Sequence, residues 1–205
     1  MIYNILYWLT FWKFNTIVQL FVRQENIQGL EKLKGIDCPL IIASNHRGQL
    51  DGIWIWYYFA KMNRALPVDM RIITGERFFG IPILGWYLNK MRCFPVEKGR
   101  GIEILNPMIE VLKKGKIVTI FPEGKMQKKS EHKGDAKRGV GYLVWKSKAP
   151  VLPIYINYIK RYRYIPIWEM TFIIGKPKLY KVHSEDELQS IADKVLASVY
   201  KLKDF

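Results

Sequence analysis

The feature that most constrains this chain is a polar break between two apolar runs. Pro39-Leu40-Ile41-Ile42-Ala43 leads into Asn45-His46-Arg47-Gly48-Gln49-Leu50-Asp51, and Ile53 to Ala60 leads out. The first run is short and rich in branched residues, which predicts a buried strand. The second is aromatic-rich and long enough for a helix, expected from about Asp51 to Asn63. His46 then falls at a strand end and Asp51 in the first turn of a helix. A five-residue offset does not align two side chains on one straight helix, where neighbours are three or four apart. Across a strand-to-helix bend it brings a carboxylate onto one imidazole nitrogen. That fixes the tautomer and leaves the other nitrogen free as a general base.

The rest of the chain alternates in the same way. Strands are expected at Arg71–Thr74, Met91–Val96, Lys116–Phe121, Pro150–Ile156 and Glu169–Ile174. Helical spacing appears over 100–114 through Ile102, Leu105, Ile109 and Leu112, with Pro107 kinking the first half or starting a new turn and Gly115 as the stop. Gly139–Trp145 starts or continues another helix. In the last element Ser184 and Glu187 match a capping box, and Leu188, Ile191, Ala192, Val195, Leu196, Val199 and Leu202 mark one apolar face. Residues 24–38 are polar, contain Gly29 and Gly35, and read as a connector. The run Phe78–Leu88 is apolar, but two glycines and a proline argue against a regular helix there. It is too short to span a bilayer, and reads equally as a buried segment or as an apolar surface for a lipid chain. The expected architecture is α/β: a single domain over 36–205, with a central mixed, mostly parallel sheet flanked by helices. Residues 1–35 form an N-terminal apolar helical segment and its connector.

Charge and aromatic content then narrow the partners. The chain of 205 residues carries a net charge of +15, which implies an anionic partner. Residues 125–148 alone hold eight Lys or Arg against Glu131 and Asp135. Residues 1–23 are aromatic-rich, with Lys13 near the centre, where a charge inside a bilayer costs about 2.5–3.5 kcal/mol. The segment lacks the basic start and small-residue cleavage site of a signal peptide. An interfacial helix, with aromatics among lipid headgroups and Lys13 in water, fits better than a spanning one; a helix packed on the domain is the alternative. Tyr158-Ile159-Lys160-Arg161-Tyr162-Arg163-Tyr164 interleaves bases with aromatics as single-strand binders do, but no nucleic-acid module accompanies it, and no nucleic-acid partner is expected. Cys38 and Cys93 make neither a disulfide framework nor a four-ligand zinc site, which favours a reducing, cytosol-facing location. His132 and His183 have no neighbours at metal-ligand spacing, so no metal is expected.

Asn45-His46 with Asp51, then Phe121-Pro122-Glu123-Gly124, resembles the glycerolipid acyltransferase family, whose best-known members are 1-acylglycerol-3-phosphate acyltransferases. Phe94-Pro95-Val96-Glu97-Lys98 occupies the place of that family's second block, and Val151-Leu152-Pro153-Ile154 that of its fourth. Lys137-Arg138-Gly139 resembles the basic-basic-glycine step after the third block. The blocks occur in family order over about residues 39–157. The chain departs from the pattern at Gly48, where a serine is usual, at Glu97-Lys98 in place of Asp-Arg, and at Lys125-Met126 in place of Thr-Arg. The resemblance implies transfer of a fatty acyl group from acyl-CoA or acyl-carrier protein to a lysophospholipid hydroxyl, with no cofactor, at the cytoplasmic face of a phospholipid membrane. It implies His46 as the base and Asp51 as its orienter. Lys98, Glu123, Gly124, Lys125 and Arg138 would hold the acceptor. The acceptor it implies first is 1-acylglycerol-3-phosphate, giving phosphatidic acid; the alternatives are another lysolipid within the same class, a basic membrane-surface or nucleic-acid-binding protein, and a non-catalytic family member.

Overall fold

Leu40 and Ile42 bury their side chains in one apolar cluster, Ile41 and Ala43 in another. That two-residue alternation divides the whole core into layers on the two faces of one sheet. A computed structural model describes residues 2–33, 39–63, 69–97, 99, 101–127, 134–160 and 168–204. In chain order the elements are α1 (Ile2–Phe21), β1 (Val22–Gln28), β2 (Leu40–Ser44), α2 (Asp51–Asn63), β3 (Met70–Gly75), α3 (Pro82–Lys90), β4 (Phe94–Val96), α4 (Asn106–Lys113), β5 (Ile117–Ile120), α5 (Gly139–Ser147), β6 (Val151–Lys160), β7 (Trp168–Ile174) and α6 (Leu188–Lys201).

The strands form one seven-stranded sheet in the order β1-β7-β6-β2-β5-β3-β4. The five from β6 to β4 run parallel, β7 runs against β6, and β1 runs parallel to β7. The sheet is therefore mixed and mostly parallel, with helices on both faces, as expected. β2 sits at its centre, paired with β5 on one side and β6 on the other. The segments that leave the carboxyl ends of β2 and β5 therefore emerge side by side, which is where open α/β sheets form their crevices.

On one face α2 is buried from Trp54 to Ala60, because the sheet lies under it and α1 over it. Phe14 of α1 meets Trp54 edge-on with ring centroids 4.8 Å apart, and Phe11 stacks on Tyr57 at 5.4 Å. The Tyr57 hydroxyl donates to Asn15 Oδ1 at 2.7 Å, which accounts for an amide inside an apolar helix. On the other face α4, α5 and α6 close a second core, where α6 buries Leu188, Ile191, Ala192, Val195, Leu196 and Val199.

Three local expectations change. Residues 22–28 are the edge strand β1, not a connector; an edge strand has one neighbour and tolerates polar side chains. The run 78–88 does contain a regular helix: Pro82 stands in the first turn of α3, where its missing N–H costs nothing. Gly85 lies inside that helix because a Cβ there would come within 2.0 Å of the Phe79 carbonyl oxygen. The capping box does not form. Ser184 makes no side-chain cap bond, Glu187 instead accepts from the His183 amide at 3.0 Å, and a 3-10 turn over Glu185–Glu187 precedes α6. Pro107 stands in the first turn of α4 after a 3-10 turn at Ile102–Leu105, and Gly115 follows that helix with φ +70°.

Candidate active site

At the end of β2 the buried Asn45 anchors the bend. Its amide donates to the Ile156 carbonyl and accepts from the Ile156 amide, each at 2.8 Å, so the bend is tied to β6. The next residue, His46, brings Nδ1 within 2.8 Å of Asp51 Oδ2. The same oxygen accepts the backbone N–H of Arg47 at 2.6 Å and of Gly48 at 2.8 Å. Asp51 is fully buried and lies in the first turn of α2, where the helix dipole favours a negative charge. The five-residue offset thus works as expected across the bend. His46 makes no hydrogen bond through its other ring nitrogen among the described residues.

The segment after β5 supplies the opposite wall. Phe121 stacks on the imidazole with centroids 4.2 Å apart and planes 17° from parallel. The chain turns at Gly124, whose φ of +63° suits glycine. Gln127 then staples the two segments together: its amide donates to the His46 carbonyl at 2.7 Å, and its carbonyl accepts from Arg47 Nη1 at 3.0 Å. Phe121, Arg47 and Gln127 were missed in the sequence. Phe121 lies inside the Phe-Pro-Glu-Gly block and Arg47 next to the histidine, so block membership was a usable signal for both; Gln127 carried none.

Glu123 is fully buried and does not line the cleft. Its Oε1 accepts from the Tyr200 hydroxyl at 2.7 Å, and its Oε2 has no hydrogen-bond partner among the described residues. Burial pushes its carboxyl above the usual range, partly offset by Tyr200, by the charge of His46, by the nearby Gln127 side-chain amide and by the charge of Arg47. Tyr200 in turn is raised by its own burial and by Glu123. Arg138 reaches Glu185 at 3.4 Å, at the far end of the loop, and is not on the cleft lining. Gly124 and Lys125 do line it. Lys98 lies outside the described residues.

His46 opens onto a cleft of about 820 Å³. Its walls are mainly apolar: Leu50 just before α2 and Ile53 within it, Ile72 and Ile73 from β3, Leu84, Tyr87 and Leu88 from α3, and Phe121. Lys125 and Arg77 supply cations, Glu76 and Glu97 anions. Cys93 also lines the cleft, but burial pushes its thiol up to about 11. A thiol so rarely ionised is a poor nucleophile at neutral pH. Among the described residues no three metal-ligating side chains converge.

The chain is similar to known acyltransferases in sequence and in fold. The acyltransferase family model matches residues 21–157. A chloroplast 1-acyl-sn-glycerol-3-phosphate acyltransferase of Brassica napus is 31% identical over 132 residues, which are 63% of this chain and 36% of that protein. An N-acylphosphatidylethanolamine synthase of Arabidopsis thaliana is 32% identical over 127 residues, 60% of this chain and 44% of that protein. The chain thus spans about a third to a half of the length of these relatives. The crystal structure of the 1-acyl-sn-glycerophosphate (LPA) acyltransferase PlsC from Thermotoga maritima superposes with a TM-score of 0.61 at 23% identity, over 89% of this chain and 73% of that one, and so shares the fold. With a family match over most of its length, this chain belongs to the acyltransferase family.

Proposed function

We propose that the protein moves a fatty acyl group from a thioester, acyl-CoA or acyl-carrier protein, to the free hydroxyl of a lysophospholipid, with 1-acylglycerol-3-phosphate as the acceptor. The observation that carries this is the His46–Asp51 pair at the mouth of an apolar cleft. The acceptor hydroxyl attacks the thioester carbonyl while Nε2 of His46 takes its proton. Asp51 holds the ring and offsets the charge that forms on it. The tetrahedral intermediate collapses, the C–S bond breaks, and the thiolate leaves with the proton from the imidazolium. The acceptor hydroxyl is itself the nucleophile, so no serine or cysteine is acylated. The apolar walls suit a fatty chain, and Lys125 suits an anionic headgroup.

The same reading places the protein on a phospholipid surface, at the cytoplasmic face. No helix among the described residues is long and apolar enough to cross a bilayer. Yet α1 leaves Ile5, Trp8, Leu9, Trp12 and Leu20 exposed, and α3 leaves Ile83 and Trp86 exposed. The Tyr87 hydroxyl donates to Thr10 Oγ1 at 3.0 Å, which ties α3 to α1. One wall of the cleft is thus the inner side of a helix whose outer side is apolar, so a lipid can pass between bilayer and cleft.

The test is an assay with both donors against lysophosphatidate, lysophosphatidylcholine and phosphatidylethanolamine. Fastest turnover of lysophosphatidate is expected. Turnover of another acceptor alone would reassign the substrate, and no transfer by the folded protein from either donor would end the reading.

A further inference from the structure

Behind the His46–Asp51 pair, β6 brings a phenol to the place where a side chain at position 48 would go. A Cβ on Gly48 would lie 1.6 Å from the Tyr158 hydroxyl oxygen and 2.9 Å from its Cζ. The Gly48 amide is itself bonded to Asp51 Oδ2, so phenol, amide and carboxylate share one small space. Ring and backbone donors all converge on Oδ2. Asp51 Oδ1 is buried and takes no bond of good geometry among the described residues. The Tyr158 hydroxyl thus lies next to that carboxylate across the Gly48 backbone, and each acts on the other's charge.

We infer that Tyr158 donates its hydroxyl proton to Oδ1 of Asp51 and thereby fixes the plane of the carboxylate that orients His46, and that residue 48 is glycine to admit it. A carboxylate bonded through one oxygen can pivot about it; a donor on the second oxygen removes that freedom and satisfies a buried acceptor. Tyr158 touches no substrate in this scheme. It is a positioning residue that acts through Asp51. Burial raises its hydroxyl far above the ordinary tyrosine value, with Asp51 adding to the effect and Arg47 opposing it, so the donor keeps its proton. Among the described residues, Arg47 also acts on the phenol, and Glu123, from the β5 side, feels the charges of His46 and Arg47.

The inference rests on the acyl-transfer reading, but one arm of its test does not. Tyr158→Phe removes only the hydroxyl. It is expected to lower kcat about tenfold, with acceptor KM and Tm held. Gly48→Ala, which pushes the phenol from its seat, should lower kcat similarly. The double variant should be no worse than Tyr158→Phe alone, because both changes remove one bond. Without substrate, proton NMR of the Nδ1 hydrogen shared by His46 and Asp51 should show its resonance displaced in Tyr158→Phe. An unmoved resonance, a parental kcat, an additive double variant or a kcat loss matched by a fall in Tm would each overturn the inference. A parent protein without transferase activity would end the functional reading alone, and the resonance would still decide the role of Tyr158.

Discussion

Asp51 and Glu123 are both fully buried near the carboxyl ends of neighbouring parallel strands, and they are held in opposite ways. Asp51 takes two backbone N–H groups and an imidazole on one oxygen. Glu123 takes the Tyr200 phenol on one oxygen and no backbone N–H among the described residues, and it is pushed upward by burial. The first acid is turned toward a ring on the cleft; the second is turned away from the cleft, toward α6 and the cation of Arg47. Two acids from different family blocks thus sit in different settings: one is bonded to the proposed base, the other ties the segment after β5 to α6.

The largest expected effect lies on the Asp51 side. Asp51→Asn should lower kcat by about 10²–10⁴ while acceptor KM changes little, because the amide cannot match the carboxylate in orienting and charging the ring. A kcat close to the parent would erase the contrast between the two acids.

Glu123 should respond through stability. Glu123→Ala removes the acceptor of the Tyr200 hydroxyl and should destabilise by about 1–3 kcal/mol. Glu123→Gln keeps an acceptor and discards the buried charge. Since the folded protein holds the Glu123 proton more tightly than the unfolded chain, the carboxyl loses stability as pH rises from its ordinary value, near 4.5, through its raised folded value. Glu123→Gln should therefore match or exceed the parent in Tm at pH 7, and that margin should shrink as pH falls toward 4. A less stable Gln variant at neutral pH would mean that attraction to Arg47 and His46 outweighs the burial cost.

The smallest effect belongs to a third acid, away from the cleft, that sharpens the contrast. Asp69 is pushed upward by burial, but Lys116, which donates to its Oδ2, and Arg71 at 2.6 Å outweigh this and hold it below its ordinary value of 3.8. A lowered folded value means stability present above the unfolded value and lost as pH falls through the folded one. Asp69 is about a third exposed, so Asp69→Asn should cost only about 1 kcal/mol or less at pH 7, and the cost should vanish in acid. Thermal melts from pH 3 to 7 separate these slopes, with opposite signs for positions 69 and 123.

The parts of this arrangement that could be read in the sequence are local. The branched aliphatic run 40–42, the helix from Asp51 and the apolar face of α6 each follow from nearest-neighbour pattern, and so does the His46–Asp51 contact. What escaped is set by distant packing. β1 is polar and became a strand only because β7 offers it an edge. Gly85 looks like a helix breaker until the Phe79 carbonyl is seen against it. Arg138, expected at the acceptor, is drawn to Glu185, 47 residues away. The Glu123–Tyr200 bond joins residues 77 apart. The meeting of Tyr158 with Gly48 depends on the register of β6 against β2. The place of α1 on α2 likewise depends on ring packing, although its aromatic content was plain.

The most direct measurement is the initial rate of acyl transfer to lysophosphatidate by His46→Ala, with the Tm of the variant taken in parallel. The account predicts a fall of at least about 100-fold in a protein that melts like the parent. A folded variant that still transfers acyl groups at the parental rate would contradict it.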